Sequence, residues 1–483
     1  VTEYIDGVRV LRHSGTQNHT DVTLTFAVGS RDETLRTVGV AHLLEHLVMH
    51  AVRHLPIEMN AEVDLMTTTF VASGSAARVG EFLSGLCRAL AAPSVERMAV
   101  EVGVLAAEDG HDTHPVVAQL LNVKYGASGP GLAWLEGPGY DGLTAEHVTA
   151  FARTWFVPSN AVLQVTGPLP DDLRLELPSG TVPPRDYPVG RSFDGPVVVG
   201  YGMPAAGVLL TLPPDDAVRR STLAIDVLRQ RVEEECRHAG GHSYDIGCDL
   251  VGTDWVVYAE AREGSEEAVS RAFVEALTDL AENGPTEAEV AFQLARYQEQ
   301  LDAGEPELRR TFGNAMARRF GEPEREAVDR VELAGLLPAD VAAVLKAALP
   351  AAIGYTYEDA PVIWEQAGFR QESLCPVIPA MPAGQTFKPP LTARAFVKEA
   401  RSMLWVRTDT ALVLRDEDGV HEISWDGIAG VMRSEDGPTV VLGLNGCAIP
   451  IGAGMFRGAA GLLTELSERV PPELWFDETK LDA

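Results

Sequence analysis

The strongest constraint on the fold is an order of apolar runs that occurs twice. DVTLTFAVGS (21–30) alternates as a half-buried strand does, a helix follows at 39–54, and TTTFVASG (67–74) alternates again. VGEFLSGLCRAL (79–90) and VERMAVEVGVLAAED (95–109) have helical spacing. LTAEHVTAFARTWF (143–156) is an amphipathic helix with Thr144 as its cap and Glu146 in its first turn, and NAVLQVTG (160–167) is a buried strand. A stretch rich in Pro, Gly and Asp (170–195) reads as a linker. Beyond it the order recurs: strands within 197–213, a helix at 221–238, the strand WVVYAEAR (255–262), and a helix at 266–284 ended by Gly284. No sequence identity links the halves, yet the repeated order predicts two related α/β units.

The tail differs. After a second Pro-rich stretch, PVIPAMPAGQTFKPPLT (376–392), the runs ALVLRD, HEISW, TVVLGL and CAIPIG are short strands, and MFRGAAGLLTELSERV (455–470) is a helix. This predicts a small β-rich module of the pleckstrin-homology shape. The expected class is α+β, with units at 1–180 and 190–375 and the small module at 393–483, a division that suits 483 residues. With 39 basic and 70 acidic side chains the net charge is −31, which repels nucleic acid and anionic lipid and suits cationic peptides. No apolar run approaches the roughly 18 residues of a membrane span, and the N-terminal stretch lacks the basic-then-apolar order of a secretory signal. A cytoplasmic protein is expected. The cysteines at 87, 236, 248, 375 and 447 are odd in number, scattered and without a CxxC pair, which argues against both a disulfide framework and a thiolate zinc site.

The helix at 39–54 reads GVAHLLEHLVMHAVRH, with His42, His46, His50 and His54 at four-residue steps. Residues i and i+4 share a helix face, so His42 and His46 can place two imidazoles on one ion. Glu45 lies on nearly the same face and can serve as general base toward an attacking water. A zinc ion would activate that water and stabilise the oxyanion of amide hydrolysis, and it needs about three protein ligands and an open position. HLLEH supplies two ligands and a base in the H-x-x-E-H order. Four histidines spread along roughly 18 Å of helix cannot serve one ion, so His50 and His54 are expected to line a cleft or face solvent.

FAVGSRDETLRTVGVAHLLEHL closely resembles the segment around the zinc helix of the pitrilysin, insulin-degrading enzyme and mitochondrial processing peptidase family. MNAEVDLMTTTF (59–70), GLTAEHVTAFARTWFVPSNAVLQVTG (142–167) and NGPTEAEV (283–290) resemble further motifs of that family, in the family's order over roughly residues 20–350. The resemblance implies helices on mostly antiparallel sheets, a Zn2+ cofactor, and a third ligand that is a Glu on a later helix with another Glu seven positions before it. Glu108 and Glu101 in EVGVLAAED have that spacing, Glu108 as ligand and Glu101 as the carboxylate orienting ligand or water. Glu101, Asp109, His111 and His114 are rival third ligands. The interval between His46 and Glu108 is shorter than in the family, and the shortening falls after His46, where the resemblance implies a wall of the substrate cleft.

In the second unit, ECRHAGGHSYDIG (235–247) resembles the family's Arg-x-x-x-Gly-x-x-Tyr motif, at Arg237, Gly241 and Tyr244. The resemblance implies that Arg237 and Tyr244 bind the substrate backbone and polarise the scissile carbonyl, which suits cationic and phenolic donors. Read without it, the stretch is a helix end, with Gly240 and Gly241 as terminators and Arg237 complementing the dipole. The expectation is a zinc endopeptidase acting on peptides or unfolded segments, assembled as a homodimer whose sites are completed in trans, or as a heterodimer with a related chain. The alternative is a non-catalytic partner or peptide-binding subunit; the intact H-x-x-E-H, Arg237 and Tyr244 weigh against it.

Overall fold

The computed structural model describes residues 3–13, 18–108, 113–135, 137–185, 190–212, 218–322, 324, 334–357, 361–435 and 437–477. The first unit runs β1 (Glu3–Ile5), β2 (Val8–His13), β3 (Thr20–Phe26), α1 (Val40–Val52), β4 (Glu58–Val63), β5 (Thr68–Gly74), α2 (Ala76–Ala91), α3 (Met98–Leu105), α4 (Pro115–Tyr125), α5 (Ala145–Trp155) and β6 (Ala161–Thr166). The second runs β7 (Val197–Tyr201), β8 (Ala205–Thr211), α6 (Val218–Glu233), β9 (Ile246–Val251), β10 (Asp254–Glu260), α7 (Glu266–Glu282), α8 (Glu287–Asp302), α9 (Glu305–Phe320), α10 (Pro338–Ala348), β11 (Ile353–Tyr357), α11 (Pro361–Gln366) and β12 (Arg370–Gln371). The expected Thr144 cap forms, its Oγ1 accepting from His147 N–H at 3.2 Å, and Thr286 Oγ1 caps α8 in the same way, accepting from Glu289 N–H at 3.3 Å.

The strand orders are β1-β2-β6-β3-β5-β4 and β12-β7-β11-β8-β10-β9. In each sheet one parallel pair, β2 with β6 or β7 with β11, is followed by three antiparallel pairs. The two units are therefore structural repeats, differing in the edge strand, which is antiparallel to its neighbour in the first and parallel in the second. The expected α+β class, with helices on mostly antiparallel sheets, is borne out.

Alternation along the strands gives each sheet two apolar faces. In the first sheet Val10, Val22, Leu24, Phe26, Phe70 and Leu163 pack against α1, α2 and α5. The opposite face, at Leu11, Ala27 and Val162, is covered by Phe312, Ala315, Met316 and Phe320 of α9, a helix from the second half of the sequence. In the second sheet Val198, Val208, Leu210 and Val257 pack against α6, α7 and α10, and the other face receives Val116, Val117, Leu120 and Leu121 of α4, from the first half. The units thus exchange one helix each. The α4 exchange is tied by the fully buried Asp254, which accepts from Lys124 Nζ at 2.5 Å, Tyr125 OH at 2.5 Å and Thr211 Oγ1 at 2.8 Å.

The tail holds two four-stranded sheets, β13 (Gln385–Phe387), β14 (Leu404–Arg407), β15 (Ala411–Arg415) and β16 (Val420–Ser424), then β17 (Ile428–Arg433), β18 (Thr439–Gly443), β19 (Ala448–Ile451) and β20 (Trp475–Asp477). Helix α13 (Ala459–Arg469) lays Leu462 and Leu466 onto their core, and α12 (Leu391–Phe396) lies between β13 and β14. A β-rich module with a helix closing its core is as expected. The helix is not its last element, because β20 returns to pair parallel with β17.

One expectation needs correction. Cys375 and Cys447 form a disulfide although 72 positions apart. The linker adds to the module's edge, with Ile378 N–H donating to Val420 O at 2.7 Å, and so brings Cys375 to the residue after the β18–β19 turn, a proximity that sequence spacing does not carry. The tail is also docked: Leu442 and Ala429 pack with Leu35, Val38, Ala127, Leu132 and Leu135 of the first unit.

Candidate metal centre

Helix α1 buries Val40, Ala41, Leu43, Leu44, Leu47, Val48 and Val52, which turns the histidine stripe away from the core. Its start is built by the residues ahead of it. Glu33, itself buried, accepts from the Gly39 and Ala41 N–H groups at 2.8 and 2.9 Å, placing a carboxylate on the orphan donors of the first turn. Gly39 has φ +87, and a Cβ there would stand 2.6 Å from Tyr140 Cε1. The glycine ahead of the first histidine thus permits both the left-handed turn and the approach of Tyr140.

His42, His46 and Glu108 converge, each offering a ligand atom within 4.8 Å of the others. Glu108 Oε2 is 3.6 Å from His42 Nε2 and 3.5 Å from His46 Nε2. Donors bound tetrahedrally at zinc distances stand about 3.3 Å apart, so this set fits such an ion with little adjustment. The chemistry also fits, since two imidazoles and a carboxylate are a known catalytic zinc donor set. Both Nε2 atoms face the shared point, and both Nδ1 atoms face outward onto polar partners. His42 Nδ1 is 3.3 Å from Tyr140 OH, and His46 Nδ1 is 3.6 Å from Glu101 Oε2. Such outer contacts set the tautomer and orientation of ligating imidazoles.

Glu45, on α1 and buried, lies with Oε2 3.9 Å from His42 Nε2 and 3.8 Å from His46 Nε2. Glu101, buried on α3, also reaches His50 Nδ1 at 3.8 Å and Arg97 Nε at 3.2 Å. His50 therefore joins the site through Glu101, while His54 lies exposed past the helix end. Helix α3 ends earlier than the sequence pattern suggests, at Leu105, and Glu108 follows in a final turn with its N–H donating to Val104 O.

Among the rival ligands, Asp109 and His111 lie outside the described residues. His114 belongs to a second group with Asp245 and Glu260. Its Nδ1 accepts from Val116 N–H at 3.2 Å, so the ring proton sits on Nε2 and is donated to Glu260 Oε1 at 2.9 Å. That tautomer leaves no lone pair for an ion.

Arg237 and Tyr244 stand on the second unit. Arg237 lies in a widened π-helical turn, Glu234–Ala239, that prolongs α6, and pairs with Glu233 at 3.7 Å. Tyr244 is exposed, and its hydrogen bond with Glu260 pushes its hydroxyl above the usual range. The structure thus brings together His42, His46, Glu108, Glu45 and Glu101, and ties Tyr244 through Glu260 to His114, a short way along the chain from Glu108. Sequence reasoning missed Tyr140, for which no motif signals, and the capping role of Glu33, which was visible as an acidic residue ahead of the helix.

The family model of the insulinase peptidases (Peptidase family M16) matches residues 8–79, from β2 into α2, a span that holds His42, Glu45 and His46. No curated protein is significantly similar in sequence. A protease from Helicobacter pylori superposes with a TM-score of 0.61 at 15% identity, over 74% of this chain and 99% of that one. The inactive domain of a Pseudomonas fluorescens M16 peptidase gives 0.58 at 15%, over 74% and 97%. The periplasmic protease PqqL of Escherichia coli gives 0.56 at 14%, over 88% of this chain and 55% of that one. At these identities the structural likeness establishes the fold. With the family match in the first unit, it bears out the resemblance to the pitrilysin-like family.

Proposed function

We propose that this chain, with the insulinase-family signature in its first unit and the fold of those peptidases, is a zinc-dependent endopeptidase acting on peptides or unfolded segments. The observation that carries the reading is the convergence of His42, His46 and Glu108 with Glu45 beside both Nε2 atoms. When bound by the two histidines and Glu108, zinc would supply a Lewis acid and a water of lowered pKa. Glu45 takes the proton of the attacking water at Oε2 and returns it to the leaving nitrogen. Glu101 and Tyr140 hold the two imidazoles by their Nδ1 edges. Strand β4, at the edge of the first sheet, offers unpaired backbone groups to an extended peptide. Arg237 and Tyr244 are assigned to the substrate backbone and the developing oxyanion.

The test is mass-spectrometric profiling of a peptide library with wild type and Glu45→Gln, both zinc-replete. Cleavage by wild type alone is expected; no cleavage by either would refute the peptidase reading. One observation favours the second reading, a non-catalytic subunit that binds peptide or a partner chain: the same fold serves the inactive Pseudomonas fluorescens domain. The retained donors and base weigh against it.

Arg237 and Tyr244 sit on a different unit from the histidines, which supports a two-fold homodimer with sites completed in trans, a heterodimer being the rival. Glu45→Gln and Tyr244→Phe are each expected to be nearly inactive, and their mixed dimer to regain activity. Mixed dimers that form without regaining activity would place both residues in one chain's site. No described helix is long and apolar enough to cross a membrane, and the cytoplasm is the proposed compartment.

A further inference from the structure

The Cys375–Cys447 bridge stands at the junction of three parts of the molecule. Cys447 follows the turn Leu444–Gly446, which grips the end of α4: Ala127 N–H donates to Leu444 O at 3.0 Å, and a Cβ on Gly126 would lie 2.1 Å from that same oxygen. Beside this grip, Leu442 and Ala429 press on Leu35 and Val38, the residues that lead through Gly39 into α1. On the other side of the bridge, Leu374 O accepts from Arg191 at 3.2 Å, and the Arg191 backbone N–H donates to Lys124 O at 2.7 Å, again at the end of α4. The disulfide therefore closes a ring that runs from α4 through Arg191 to Cys375, across to Cys447, and back through Leu444 to Ala127. His421 completes a potential ligand group with the two cysteines, but its ring nitrogens face Pro376 O at 3.2 Å and Asp416 Oδ1 at 3.3 Å. With the sulfurs bonded to each other, that group is a disulfide rather than a ligand set.

We propose that this disulfide is an exchangeable lock: oxidised, it clamps the C-terminal module against the lead-in to α1; reduced, it releases the grip on Ala127 and loosens the start of that helix. Cys375 is half-buried and Cys447 almost fully buried, so exchange begins at Cys375. A thiolate of a dithiol attacks Cys375 Sγ, the S–S bond breaks, and the electron pair leaves on Cys447 Sγ, which takes a proton. The second thiol of the reagent attacks the mixed disulfide and releases Cys375 as the second thiol. The net change is one protein disulfide and one dithiol to two protein thiols and one cyclic disulfide. In a cytoplasmic setting such a bond is transient and regulatory. The consequence for the metal centre rests on the peptidase reading; the lock itself does not.

The experiment uses the full chain with dithiothreitol as the dithiol. Alkylation and mass spectrometry follow Cys375 and Cys447 individually. Cys87, Cys236 and Cys248 are poor nucleophiles, their thiols pushed by burial to about 12, 11 and 12. Hydrogen exchange is then read at the amides of Ala127, Gly39, Ala41 and Leu43. Reduction is expected to speed exchange at Ala127 by about tenfold or more, with a smaller rise at the start of α1, while the β3 amides stay protected. Cys375→Ser should show the same pattern without reductant, and Cys248→Ser should not. If both cysteines are alkylated and exchange at Ala127 and the α1 start is unchanged, the lock is refuted. If dithiothreitol never frees the pair in the folded chain, exchangeability is refuted.

Discussion

Replacing Glu101 with Gln isolates the outer carboxylate of the metal centre without changing its shape. Glu101 is buried, with Oε2 3.6 Å from His46 Nδ1, and Oε1 3.8 Å from His50 Nδ1 and 3.2 Å from Arg97 Nε. The amide keeps one acceptor but loses the negative charge beside His46 Nδ1, the charge that would orient a ligating imidazole. Loss of such a partner weakens metal binding by about 10–100-fold, or about 1.4–2.7 kcal/mol. The effect on folding is smaller. The Arg97 partner is 45% exposed, so that pair contributes at most about 1 kcal/mol, and removing a buried charge recovers some desolvation. Competition with a chromophoric chelator measures zinc affinity, and urea unfolding of the metal-free protein measures stability. Affinity should fall by more than stability does, and Glu108→Gln should lose still more affinity because it removes a direct donor. Unchanged affinity in Glu101→Gln would refute the orientation argument, and full zinc in Glu108→Gln would assign the third donor elsewhere.

Glu45→Gln should keep the fold and the zinc, read by elemental analysis, and lose about 100-fold or more in kcat, since an amide cannot take the water's proton. Gly39→Ala meets a left-handed φ and the Tyr140 ring together, so a loss of about 1–3 kcal/mol is expected in urea unfolding, with weaker zinc binding as Tyr140 is displaced from His42. Asp254→Ala leaves Lys124 with its charge and no carboxylate at the α4 exchange; a loss of about 3–5 kcal/mol is expected, and near-wild-type stability would show that water reaches the site. Deleting residues 393–483 should destabilise the first unit through bared Leu35, Val38, Ala127 and Leu132, seen as a lower melting temperature together with dye binding to exposed apolar surface.

Local chemistry was the legible part. The alternation of DVTLTFAVGS and NAVLQVTG, the Thr144 cap, and the i, i+4 histidines depend on neighbours within one or two turns, and each appears where the pattern places it. The pairing of Glu101 with Glu108 came from the family resemblance, not from local periodicity, since α3 ends at Leu105; in the structure both carboxylates stand beside His46. Long-range contacts were not. Cys375 meets Cys447 only because the linker pairs with Val420, and Tyr140 reaches His42 only because Gly39 lacks a side chain. Helix α4 carries an apolar surface that says nothing about which sheet it will cover.

The exchange of α4 bears directly on the candidate metal centre. Glu108 ends the turn after α3, which packs beside α1 in the first unit. Only a few residues later, His114 caps α4 and donates to Glu260 on β10, and α4 itself is buried on the second sheet. Glu108 and His114, close in sequence, therefore stand beside different cores. The polar anchor at the far end of α4, Asp254 with Lys124 and Tyr125, is buried and resists sliding. His42, His46 and Glu45 share α1, whereas Glu108 approaches them from a different segment. Tyr244, on the second unit, lies beside Glu260, the acceptor of His114. The two imidazoles are thus set by one helix of the first core, while Glu108 is close in sequence to residues that belong to the second and Tyr244 stands next to them, so the candidate site draws on both cores.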